Sequence, residues 1–128
     1  MKQWEIHLAS VPASHVLGSE ERDHAEGSMR PYLIISARLR KIGCCVACPL
    51  STSARASDLP HFRIELLPEE VEVTGTDQPF DAKPAVILVE QLRIMSFQRF
   101  RKPASRVGLL SIGKRAEVSL SLERLFEL

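Results

Sequence analysis

Two junctions in the chain set groups that handle phosphate beside apolar strands. Arg30 stands in Gly27-Ser28-Met29-Arg30-Pro31, just ahead of the apolar run Tyr32-Leu33-Ile34-Ile35. Ser51 and Thr52 stand in Pro49-Leu50-Ser51-Thr52-Ser53, where a second apolar run ends in three hydroxyls. Taken singly, the first is a solvated strand end and the second a set of turn formers. Together they say more. If the basic, turn-like Arg38–Lys41 joins the two strands, they are antiparallel neighbours, and the start of the first lies beside the end of the second. Arg30 and Ser51 then meet at one rim of a sheet. A planar guanidinium fork with a hydroxyl beside it suits a phosphodiester. In RNA that ester carries its own nucleophile, the 2′-hydroxyl. A protein acting on it need only remove that proton, stabilise the phosphorane and protonate the departing 5′-oxygen. Such chemistry requires neither a metal nor another cofactor.

The other reactive side chains have plainer readings. Cys45-Val46-Ala47-Cys48 has the spacing of zinc and redox sites, but no second ligand pair accompanies it. It lies in a strand-like run, where alternation sends Cys45 and Cys48 to opposite faces as buried thiols. The histidines, at 7, 15, 24 and 61, are scattered. His24 is a minor candidate for a proton carrier near Arg30.

The elements that must position these groups follow from periodicity. Trp4 to Ala9 alternates apolar and polar, a half-buried strand. Val11 to Met29 is a long polar loop. Pro31 opens the strand through Ser36, and a second strand spans Gly43 to Leu50. Both are nearly continuously apolar, which suits a barrel or a sheet covered on both faces. His61–Leu66 reads as a third long strand, and Pro68–Pro79 as loop with a short edge strand. Ala85–Val89 is a further strand that Leu92–Phe97 continues after a break at Glu90-Gln91. Ser111 can cap one helix, with Val118, Leu122, Leu125 and Phe126 on a shared face. The expected fold is mainly β: a small barrel with a C-terminal α-helix, as a single domain over residues 1–128.

The chain has 128 residues and a formal net charge of +1, so it is no generally basic nucleic-acid coat, and phosphate contacts must come from a local patch. The three clustered cysteines and the absence of a leader pattern or membrane span point to a reducing, cytoplasmic setting.

The ordered set of motifs resembles the MazF/PemK toxins, bacterial sequence-specific endoribonucleases. Gly18-Ser19-Glu20, then Gly27 and Arg30-Pro31, looks like that family's entry into its second strand. Pro49-Leu50-Ser51-Thr52 looks like its hydroxyl-bearing strand end, and Leu59 to Ile64 like its return strand. Val89-Glu90-Gln91-Leu92-Arg93-Ile94 looks like its Glu-Gln-x-Arg-Thr segment, and Val107-Gly108-Leu109-Leu110-Ser111 like the lead into its terminal helix. The resemblance implies an SH3-like barrel of five to seven strands, a homodimer, and a cleft for single-stranded RNA. It implies a cognate antitoxin, operator DNA reached only through that antitoxin, and products with 2′,3′-cyclic phosphate and 5′-hydroxyl ends. It assigns Arg30 as acid–base and charge stabiliser and Ser51 to the phosphorane. Glu20, Thr52, Gln91 and Arg93 become substrate contacts. The loop before Arg30 is longer than the family pattern, so Glu26 competes with Glu20. Ser96 stands where some members carry an Asp proposed as base. A CcdB-like gyrase poison and a non-catalytic member of the same fold are the alternatives.

Overall fold

The computed structural model of the chain describes residues 1–10, 29–78, 83–102 and 104–127. Eight strands precede one helix: β1 (Glu5–Ala9), β2 (Arg30–Ser36), β3 (Cys44–Ser51), β4 (Arg63–Leu66), β5 (Val71–Glu72), β6 (Ala85–Leu88), β7 (Arg93–Ser96), β8 (Arg106–Leu110) and α1 (Ile112–Phe126). The pairings are antiparallel and follow the path β4-β6-β3-β2-β1-β8-β5, with β7 joined to β3 beside that path. The two ends of the path, β4 and β5, are consecutive in the chain. A flat sheet of that width would separate them by about 29 Å. The link from Leu66 to Val71 reaches at most about 17 Å. The sheet therefore curls, and the expected barrel-type fold with a C-terminal helix is the one observed.

The turn that brings Arg30 toward Ser51 is a 3-10 turn at Arg40–Ile42. It closes on Gly43, whose φ of 74° lies in the left-handed region that glycine enters without strain. Beyond it, β6 and β7 lie end to end along one edge of β3. The first pairs with Leu50 and Ser51 and the second with Cys44 to Ala47. The 3-10 turn Val89–Gln91 is the break between them.

Three local expectations are corrected. The third strand starts at Arg63 rather than His61, because Phe62 and Arg63 both donate their N–H to the Leu59 carbonyl in a preceding turn. The lead into the helix, Arg106–Leu110, is itself a strand between β1 and β5, so that seven strands make up the path of the sheet with β7 beside it. Gly108 masks the strand pattern. It is also required there, since a Cβ at Gly108 would run into the Val71 side chain and come within 3.2 Å of the Glu72 carbonyl. Finally, Phe126 is 66% exposed rather than on the packed face of α1. It lies about 80° round the helix from Val118, whereas Leu122 and Leu125 pack on the core. Ser111 takes the N-cap position, but its side chain makes no capping bond.

Alternation builds two apolar faces. Ile6, Leu8, Leu33, Cys48, Leu50 and Ile87 fill the inside of the curl with Val118 of the helix. Tyr32, Ile34, Cys45, Ala47, Met95 and Phe100 form a second cluster on the other face. Cys45 and Cys48 thus fall on opposite sides of β3, as alternation requires.

Candidate functional site

The antiparallel register of β2 and β3 pairs Tyr32 with Pro49 and Leu33 with Cys48. Continued two residues, it sets Arg30 opposite Ser51. The side chains confirm the approach: Arg30 Nε donates to the Leu50 carbonyl at 3.2 Å. Arg30 is 7% exposed. A guanidinium fork offers paired N–H donors to an anion.

Ser51 is 1% exposed. Its Oγ accepts the N–H groups of Ser53 and Ala54, both at 3.2 Å, and lies 3.1 Å from Ser53 Oγ. Two amides fill the two lone pairs of a hydroxyl, so its remaining bond is one it gives, with Ser53 Oγ in reach. Ser51 is therefore built to give a hydrogen bond rather than to act as base or nucleophile.

The row extends further across the sheet. Ser51 pairs with Val86 on β6, and Val86 pairs with Glu65 on β4. Directly opposed residues of antiparallel strands point to one face. Arg30, Ser51, Val86 and Glu65 thus form a transverse line on one face across β2, β3, β6 and β4. Its far half opens into a groove of about 290 Å³ lined by Ser51, Thr52, Glu65, Leu67, Pro84 and Val86, among others. Glu65 had no place in the sequence reading. Alternation in Arg63-Ile64-Glu65-Leu66 turns it outward, but only the long-range pairing of β4 with β6 shows what it faces.

The remaining candidates lie at graded distances. Arg93 pairs with Ala47, on the same face as Ser51 and about 13 Å along β3. Gln91 ends the turn between β6 and β7 and is half-buried. Ser96 pairs with Cys44, about 23 Å along β3 from Ser51 and on the opposite face. Within one chain it cannot reach the Arg30–Ser51 rim. Glu20, Glu26, His15 and His24 lie outside the described residues. Among the described residues no group of three or more His, Cys, Asp or Glu could hold a metal ion. Burial pushes the Cys45 thiol up to about 11 and raises Cys48 as well. Both are poor nucleophiles at neutral pH.

A second polar cluster, also missed in the sequence, lies on β1 and β8. His7 Nε2 lies 3.0 Å from Glu5 Oε1, and His7 Nδ1 lies 2.6 Å from Ser105 Oγ. A carboxylate only accepts, so Nε2 carries the proton and Nδ1 accepts from Ser105. Arg106 bridges the other Glu5 oxygen at 2.7 Å and Asp77 at 2.9 Å. Burial pushes the His7 pKa below its ordinary value although Glu5 opposes this. His7, Glu5 and Ser105 are all buried, and the bonds of the cluster run from β1 to Ser105 and Arg106 at the start of β8. It works as a buried bolt between two strands.

The sequence matches the model of the PemK-like, MazF-like toxins of type II toxin–antitoxin systems over residues 2–126, and the chain belongs to that family. No curated protein matches it in sequence. Its fold is similar to the Mycobacterium tuberculosis toxin MazF-mt6, at 13% identity and a TM-score of 0.62 over 97% of each chain. It is also similar to MazF from Deinococcus radiodurans, at 21% identity and a TM-score of 0.59 over 100% of this chain and 97% of that one. A third likeness is a mycobacterial endoribonuclease solved with its cognate antitoxin, at 13% identity and a TM-score of 0.58, covering 98% of this chain and 93% of that one.

Proposed function

We propose that this chain is a metal-independent, sequence-specific endoribonuclease, the toxin of a toxin–antitoxin pair. The juxtaposition of Arg30 and Ser51 carries the reading. The 2′-hydroxyl of a single-stranded RNA attacks the adjacent phosphorus and the bond to the 5′-oxygen breaks. The products are a 2′,3′-cyclic phosphate and a 5′-hydroxyl end. Arg30 stabilises the charge that builds on the phosphorane oxygens and, as the acid–base group, takes the 2′-hydroxyl proton and returns one to the departing 5′-oxygen, while Ser51 steadies the phosphorane. Thr52, Gln91 and Arg93 contact the flanking strand, with Glu20 as a further contact from the loop before β2. The chain acts as a single domain over residues 1–128, as a homodimer, in the cytoplasm, where messenger RNA is the substrate. Its activity is held in check by an antitoxin, through which alone it meets operator DNA. Among the described residues no helix is long and apolar enough to cross a membrane.

The test is incubation of purified protein with long RNA in EDTA. Cutting at one short recurring sequence, with 5′-hydroxyl ends, is expected. Arg30→Ala should slow it by about 100-fold or more, and Arg30→Lys should restore little because it lacks the fork. Intact RNA across many sequences, with circular dichroism showing folded protein, would instead favour a protein-binding poison on the same fold.

A further inference from the structure

Resting on the ribonuclease reading, we propose that Glu65 is a specificity residue that reads a guanine flanking the cut. Glu65 is exposed on β4 and lines the groove that starts at Ser51 and Thr52. It ends the transverse row that Arg30 begins, about 14 Å away across three strand spacings. A carboxylate repels phosphate, so an acid in this position is no phosphate contact. It accepts hydrogen bonds only, through two oxygens. Unstacked bases in single-stranded RNA are read on their Watson–Crick edges.

Of the four bases, guanine alone presents two adjacent donors there, N1–H and the N2 amine. Cytosine and adenine present one donor beside a repelling ring nitrogen, and uracil presents one N–H between two carbonyls. Leu67 and Pro84 in the groove wall offer apolar surface against which a base face can lie. Among the described residues, no side chain bonds or ion-pairs with the Glu65 carboxylate. Its neighbour Arg63 is already clamped by Glu90 at 3.1 Å.

The test is cleavage of a randomised RNA pool, with the 5′-hydroxyl products sequenced. Wild type should enrich guanine at one fixed position beside the cut. Glu65→Gln and Glu65→Ala should each weaken that preference by about tenfold or more. Preferences at the other positions and the thermal midpoint should hold, since the side chain is exposed. A wild type that cuts while both variants keep the same guanine preference, or that prefers no guanine, overturns the role of Glu65 alone. A folded wild type that cuts no RNA overturns the ribonuclease reading and this role with it.

Discussion

Ser51 does two jobs with one oxygen. It accepts two amides of the turn that follows β3, and in the proposed reaction it also steadies the phosphorane. Ser51→Ala should therefore lower stability by about 1–3 kcal/mol, as two amides lose their acceptor. The same change should slow cleavage by about 100-fold. Ser51→Thr keeps the oxygen, and a β-branched side chain suits a strand end. It should cut within severalfold of wild type, as measured by initial rates on one oligonucleotide alongside denaturant melts. If Thr proves as poor as Ala, the hydroxyl is not the group that matters.

At the level of elements, β4 and the turn between β6 and β7 are tied by Arg63 and Glu90. Arg63 Nε reaches both Glu90 oxygens at 3.2 and 3.3 Å, and Nη1 donates to the Arg55 carbonyl at 3.3 Å. The two side chains are 12% and 19% exposed, so screening by water is limited. Glu90→Gln or Arg63→Met should each cost about 2 kcal/mol in urea unfolding. The double variant should cost less than the sum, because no unpaired charge remains. Additive losses would show that the pair is not coupled.

The same contrast explains what was legible beforehand. β2, β3 and their turn form a local hairpin, so the Arg30–Ser51 meeting could be read from the chain. The break at Glu90-Gln91 was legible for the same reason. The pairings of β4 with β6 and of β8 with β1 and β5 are non-local. Their strands are short, and one contains Gly108, so neither Glu65 nor the His7 cluster could be placed. Cys45 and Cys48 needed only alternation along one strand.

For the molecule as a whole, the bolt between β1 and β8 links stability to pH. Burial alone would raise Glu5, but hydrogen bonds from His7 and the Lys2 N–H, with the charges of His7 and Arg106, hold it below its ordinary 4.5. Burial holds His7 below its ordinary 6.5. Both shifts are downward, so the native state binds fewer protons than the unfolded chain, and stability rises with pH. The His7 share is complete above pH 6.5 and is lost as pH falls through the native value. The Glu5 share is complete above pH 4.5 and is lost lower down. Calorimetry should show a thermal midpoint that declines in these two stages, with the upper one flattened in His7→Gln. A wild-type midpoint constant from pH 7 to 5, or a variant with an unchanged upper stage, would rule out His7 as its source.

The cysteines on β3 have a consequence for oxidation. Three residue steps along an extended strand put the Cα atoms of Cys45 and Cys48 about 10 Å apart, beyond the ~7 Å that a disulfide can span, and the sheet itself stands between their sulfurs. Despite its spacing the motif cannot close into a ring without dismantling the strand that carries Ser51. Oxidants meet Cys44 first, the one thiol of the three that is not fully buried, and the Arg30–Ser51 rim is insulated from thiol chemistry by the geometry of the strand that builds it.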